Sequence, residues 1–179
     1  MTTYIGVLRA INLGAYNKIA MSDLRVMLET LGFEDPKTLL LSGNIVFKTG
    51  TGSSAKLESM LEAASTRHLK VTTDYFVRSA KEWQAIVDEN PFKKEAKSDP
   101  GHLLMMCLRD APMPAQVKAL QESITGREMV KAKGRHAYFV YPDGVGRSKL
   151  TIQKIEKALG TRGTARNWNT VLKLAELAQ

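Results

Sequence analysis

The stretch Thr38-Leu39-Leu40-Leu41-Ser42-Gly43-Asn44-Ile45-Val46-Phe47 (residues 38–47) decides the fold. Two short apolar runs, Thr38 to Leu41 and Ile45 to Phe47, flank Ser42-Gly43-Asn44. Gly and Asn tolerate the positive φ of a tight turn, so the pattern predicts a β-hairpin. Upstream, Leu24, Met27, Leu28 and Leu31 recur at i, i+3, i+4 and i+7 and predict an amphipathic helix. Ser22 serves as its N-cap, Met21 and Val26 as a hydrophobic staple, and Gly32 closes it. Further out, Tyr4 to Ile11 reads as a buried strand followed by a polar loop, Asn12 to Ala20. On the other side, Leu57, Met60, Leu61 and Ala64 mark a second helix, and Val71 to Val77 a strand. The resulting order, βαββαβ, is the ferredoxin-like pattern.

The pattern then restarts. Residues 79–90 predict a connecting helix with Trp83, Ile86 and Val87 on one face, and Lys93 to Gly101 a polar linker. Leu103 to Leu108 is a strand, Pro114 opens a helix, and Met129–Lys133 and Ala137–Tyr141 form a hairpin around Gly134-Arg135. Ile152, Ile155 and Leu159 mark another helix, and a short segment leads to a last one bearing Trp168, Val171 and Leu172. The expectation is an α+β protein of two tandem ferredoxin-like halves, 1–78 and 102–179, joined by a helix and linker at 79–101 and extended by a C-terminal helix. A local likeness supports duplication: Gly50-Thr51-Gly52 precedes Ser54-Ala55-Lys56-Leu57, and Gly144-Val145-Gly146 precedes Ser148-Lys149-Leu150. A single domain of two intertwined halves fits the same pattern.

At 179 residues and 44% apolar content, the chain has enough material for one large domain or two small ones. No apolar run approaches the roughly 18 residues of a membrane span, and Met1 to Gly6 lacks the features of a signal peptide. Cys107 is the one cysteine and sits in an apolar run, which predicts a buried, reduced thiol. The simplest placement is cytoplasmic. His68, His102 and His136 are scattered, without the spacing of a metal site, and nothing points to a cofactor.

Charge separates the halves. Residues 1–90 hold ten basic and ten acidic residues, whereas 127–166 hold ten basic against three acidic, a local +7. Such a concentration suggests an acidic partner: nucleic acid or another polyanion, a phosphorylated small molecule as ligand or substrate, or, with no small-molecule ligand, the acidic surface of an interacting protein. Three segments are candidates. Asp143 to Leu150 combines a Gly-x-Gly loop with Arg147, Ser148 and Lys149, either an anion site whose backbone N–H groups converge or a plain strand-to-helix turn capped by Ser148. Arg166, Asn167 and Trp168 open the last helix, with Asn167 as its cap and Trp168 on its apolar stripe. Arg9 and Asn12 lie where a buried strand enters a polar loop, a common lining for a ligand cleft. Lys131, Lys133 and Arg135 would serve a nucleic-acid surface across an exposed sheet face. Tyr138 and Val140 share one side of their strand and Phe139 and Tyr141 the other, so one pair belongs to the core. No nucleophile–base pair stands out, which leaves enzymatic activity open. Exposed sheet edges also make a homodimer an expectation.

Leu8-Arg9-Ala10-Ile11-Asn12-Leu13-Gly14, Leu41-Ser42-Gly43-Asn44-Ile45-Val46-Phe47 and Thr164-Ala165-Arg166-Asn167-Trp168-Asn169-Thr170-Val171 together resemble the bacterial family called domain of unknown function 1697. The resemblance implies a two-part fold of ferredoxin-like halves and no particular activity, substrate or cofactor. Ala10 stands where that motif commonly has glycine, implying that close backbone approach there is not required.

Overall fold

A computed structural model describes residues 1–50 and 52–179; Thr51, the middle of the first Gly-x-Gly, lies outside the described residues. The chain divides into two compact units, Met1–Val87 with Lys173–Gln179, and Asp88–Leu172.

The first unit runs β1 (Thr2–Leu8), α1 (Met21–Thr30), β2 (Glu34–Leu39), β3 (Asn44–Thr49), α2 (Ser54–Ala64), β4 (Tyr75–Ser79) and α3 (Ala80–Asp88, whose last residue is grouped with the second unit). Its antiparallel sheet has the order β2-β3-β1-β4, the ferredoxin-like arrangement. One face carries Tyr4, Leu8, Ile45, Phe47, Tyr75 and Val77 against Leu24, Met27 and Leu28 of α1 and Leu57 and Leu61 of α2. Stacked Phe33 and Phe47 rings, 4.6 Å between centroids, lie in this core. Ile5, Val7, Val46 and Phe76, on the opposite face, are fully or nearly buried as well.

The second unit begins with α4 (Lys93–Ser98), a short helix where the sequence predicts a linker; Phe92 beneath it is buried and held by Asn90. It continues with β5 (Leu103–Leu108), α5 (Pro114–Ser123), β6 (Met129–Lys133), β7 (His136–Val140), α6 (Ile152–Leu159), β8 (Gly163–Asn167) and α7 (Trp168–Leu177, whose residues 173–177 are grouped with the first unit). The sheet order β6-β7-β5-β8 repeats that of the first unit. Met106, Leu108, Ala137, Phe139 and Tyr141 pack with Leu120 of α5 and Ile155 and Leu159 of α6. Met105, Cys107, Tyr138 and Val140 point the other way and are buried too. Both Tyr138/Val140 and Phe139/Tyr141 are therefore core, where the sequence expects only one pair to be, and neither aromatic pair is exposed for stacking bases.

Several boundaries move. Strand β2 starts at Glu34 rather than Thr38, and Leu40 and Leu41 are exposed turn residues. Helix α1 follows Ala20, without the expected Ser22 cap. β4 starts at Tyr75, four residues later than expected, and β8 occupies the segment that the sequence leaves without a strand.

Three of the four sheet edges are met by side chains or bent. The N–H groups of β4 at Tyr75, Val77 and Ser79 donate to carboxylates of Glu62 (3.1 Å), Glu58 (2.9 Å) and Glu82 (2.6 Å). On β6, Val130 N–H donates to Gln121 Oε1 at 2.9 Å. β2 is bulged between Glu34 and Lys37, where Asp35 adopts φ 50° before Pro36. Satisfied or bent edges resist pairing with a second chain.

The repeat shows most clearly at the fourth strands. Arg78 pairs with Ile5 and Arg166 with Met105, at equivalent places in the two ladders. Both are buried, and each Nη1 donates to the carbonyl of the preceding residue at 2.8 Å. A cap follows each: Ser79 Oγ accepts the Glu82 N–H (3.2 Å) to start α3, and Asn167 Oδ1 the Thr170 N–H (3.0 Å) to start α7. Helix α3 is thus the first half's counterpart of α7, so the repeating unit is βαββαβα. The Ser-Lys-Leu likeness is of another kind. α2 is capped by Ser53 and α6 by Thr151, so Lys56 lies inside a first helical turn whereas Lys149 precedes its helix.

Candidate functional site

In the second unit, the end of α5, residues 124–128, residues 143–150 and α6 enclose a cleft of about 930 Å³. Leu120, Ile124, Leu150 and Ala158 supply its apolar part, and Arg147, Lys149, Lys154 and Lys157 its positive charge. Lys154 and Lys157 are three apart on α6 and so share a face. All four cations are exposed, and none forms an ion pair among the described residues.

The cleft's two acids are already engaged. Asp143 pairs with Arg127, whose Nε lies 3.1 Å from Oδ2. This guanidinium holds the Asp143 carboxyl below its ordinary range, with Arg147 and His102 acting in the same direction. Glu128 Oε1 accepts the Ser148 hydroxyl at 2.6 Å, and Ser148 Oγ accepts the Leu150 N–H at 3.0 Å. Tyr141, whose hydroxyl donates to Leu150 O at 3.1 Å, is pushed up to about 12 by burial and by the nearby Glu128 charge.

Part of the loop's backbone donor set is spent within the loop and its flanks. Gly144 N–H donates to Tyr141 O (2.9 Å), Ser148 N–H to Val145 O (3.1 Å) and Thr151 N–H to Lys149 O (3.1 Å). Only the first of its two glycines has a positive φ, 84° at Gly144. Ser148 does not cap α6; Thr151 does, accepting the Lys154 N–H at 3.4 Å.

The remaining candidates are dispersed. Arg166 is 8% exposed and donates to Thr164 Oγ1 (2.9 Å) and Ala165 O. It lies on the sheet face opposite Ala165 and α6, away from Lys149. Burial lowers its guanidinium to about 10, still charged at neutral pH. Lys133 pairs with Glu89 at 2.8 Å, Lys131 Nζ sits 5.7 Å over the Phe92 ring, and Arg135 donates to Arg109 O at 3.3 Å. Each of these three has a local partner. Trp168 is 3% exposed and 6.3 Å from the Tyr138 ring, a core residue as expected. His102 and Asp99 form a half-exposed pair, Nδ1 to Oδ2 2.8 Å. No three His, Cys, Asp or Glu among the described residues cluster as a metal site requires.

Arg9 and Asn12 belong to the first unit, and Asn12 is consumed by its own loop and by the β2–β3 turn. Its amide donates to Ile19 O (3.1 Å) and Leu41 O (2.7 Å) and accepts the Ile19 N–H (2.8 Å). Arg9 is half-buried, its N–H on Asp74 O at 3.0 Å and its carbonyl accepting Thr73 Oγ1 at 2.5 Å. Ser42 and Asn44 brace the β2–β3 turn, with Asn44 Nδ2 donating to Leu39 O (2.6 Å) and Ser42 Oγ (3.0 Å). Ala10 has φ 51°. Glycine suits that position for its backbone conformation rather than for close approach. Ala10→Gly is therefore expected to stabilise the protein by about 1 kcal/mol, since a left-handed alanine costs roughly 1–2 kcal/mol and glycine's entropy returns part of it. Urea midpoints of the two proteins check this.

Comparison with known proteins places these motifs. The conserved bacterial protein SP0830 from Streptococcus pneumoniae has a solved structure similar to this chain, with TM-score 0.78 and 24% identity over 99% of both chains, which shows a shared fold. No curated protein matches. The family model described as "Protein of unknown function (DUF1697)" matches residues 1–138, from the N-terminal strand into β7. The chain is a member of that family.

Proposed function

We propose that this protein is an anion-binding module whose second unit holds a small phosphorylated molecule in the cleft between α5 and α6. One observation carries the reading: four exposed cations with no ion pair line a cleft that also has an apolar part. At about 930 Å³ the volume falls within the roughly 300–1,000 Å³ typical of small-ligand sites. Neutralised Asp143 and hydrogen-bonded Glu128 leave the local field positive. Apolar contact from Leu120, Ile124 and Leu150 suits a ligand with an organic body beside its phosphate. The polyanion alternative has less support, because Lys131, Lys133 and Arg135 are engaged locally and the aromatic residues of β7 are buried.

Calorimetric titration with pyrophosphate and with a nucleoside diphosphate tests the reading. Wild type is expected to bind, and the double substitution Lys149→Glu/Lys154→Glu to abolish binding while leaving the melting temperature of the free protein within a few degrees. At a hundredfold excess over Kd the bound ligand should add about 2.7 kcal/mol of stability. Absence of binding by wild type, or equal binding by the double variant, sinks the proposal. Single-strand oligonucleotide binding with a log–log salt slope near −4, the value for about six phosphate contacts, would instead favour the nucleic-acid reading.

A further inference from the structure

Ser148 has one O–H to give, and it is given to Glu128 at 2.6 Å. The hydroxyl is fixed from behind by the Leu150 N–H, 3.0 Å from Oγ. Across the carboxylate stands Gly126, where a Cβ would fall 2.3 Å from Glu128 Oε2. The carboxylate thus occupies a space that only glycine leaves open. Arg127 and Asp143 tie the same two loops together. A negative group therefore already sits within the cationic cleft, on the one hydroxyl of the 143–150 loop that faces it.

We infer that Glu128 is a built-in competitor for the ligand's anionic group, and that it sets a charge threshold on what the cleft accepts. The inference rests on the anion-binding reading above. A singly charged carboxylate brings the cleft no more charge than Glu128 already does, and it lacks Glu128's tether. A phosphate or diphosphate carries more charge and more acceptor oxygens, so it engages the cations more strongly and displaces Glu128 from Ser148. The ligand class is thereby narrowed to phosphorylated or otherwise multiply charged molecules, with simple carboxylates excluded.

The test is calorimetric titration of pyrophosphate and of acetate into wild type, E128Q, G126A, S148A and the E128Q/S148A double variant, each checked for fold by circular dichroism. Glutamine keeps an oxygen for the Ser148 hydroxyl but removes the charge. E128Q is expected to bind pyrophosphate about tenfold more tightly than wild type, the gain from no longer having to displace a charged acceptor from the Ser148 hydroxyl, and to begin binding acetate. G126A keeps the charge but pushes the carboxylate off Ser148, and should tighten pyrophosphate in the same direction, by about threefold. If E128Q does not fold, G126A decides between the outcomes. The gain from E128Q should vanish in the S148A background, as coupled residues require. A gain that persists there would make Glu128 a distant charge and overturn the inference. Equal pyrophosphate affinity in wild type, E128Q and G126A also overturns it while leaving the anion-binding cleft standing, whereas no binding by any variant removes both.

Discussion

Glu58→Ala is expected to destabilise the first unit by about 3–5 kcal/mol, the cost of breaking a buried ion pair from one side. Glu58 and Arg78 are 1% and 3% exposed, and Nη1 lies 3.3 Å from Oε1. The same Oε1 accepts the Val77 N–H at 2.9 Å, so one oxygen both neutralises a guanidinium and closes the β4 edge. Alanine removes the counter-charge, the acceptor and the side-chain volume together. Against a typical total of 5–15 kcal/mol, such a loss is a large fraction of stability. Trp83 lies in the first unit and Trp168 in the second, so urea unfolding in a Trp168→Phe background reports on the first unit by fluorescence. Two controls sharpen the outcome. Glu122→Ala breaks only the exposed Lys118–Glu122 pair and should cost less than about 0.5 kcal/mol. Glu58→Leu combined with Arg78→Met should recover much of the loss, because an apolar pair needs no desolvation. A Glu58→Ala cost below about 1 kcal/mol would mean that water or a local shift replaces the carboxylate.

The edge role of Glu58 also explains which parts of the fold are legible in the sequence. β1, β3, β5 and β7, the central strands, are apolar runs and stand out directly. The misplaced or missing strands, β2, β4 and β8, are all edges. Glu-Asp-Pro-Lys-Thr-Leu in β2 and Gly-Thr-Ala-Arg-Asn in β8 lack alternating apolar residues, because an edge strand has one neighbour and can carry charge or a bulge. Their placement comes from side chains distant in sequence, such as Glu58 and Glu62 beside β4. The basic segment behaves similarly. Its charge is plain from residue counts, but the partners that withdraw Lys131, Lys133 and Arg135 are Phe92, Glu89 and Arg109, which no local pattern reveals. Glu128 is, in sequence, only one of three acids among ten cations. Its position on Ser148 depends on Gly126, a glycine with no signature of its own.

Gly43→Ala is the second large effect, about 3 kcal/mol of destabilisation, and it accounts for the Ser-Gly-Asn of the hairpin that first revealed the fold. Gly43 has φ 84°, a conformation costing a residue with a Cβ roughly 1–2 kcal/mol. A Cβ at this site would also lie 2.6 Å from Ile11 Cδ1 and 2.9 Å from Leu8 Cβ. Ile11 is a flexible tip that can give way. Leu8 Cβ cannot, because it is fixed to a strand whose N–H donates to Gly43 O at 2.9 Å. Overpacking of this kind adds roughly 1–3 kcal/mol. Gly14 separates the two contributions: its φ is 60° and nothing lies within 4 Å of where a Cβ would stand, so Gly14→Ala should cost only the conformational part, about 1 kcal/mol. Urea midpoints for both variants, at unchanged m-value, decide the matter. Equal costs at the two positions would show that Leu8 and β1 yield to the methyl. An excess of about 2 kcal/mol at Gly43 would show that the turn is locked against β1, a folding requirement sufficient in itself to explain this glycine without a ligand.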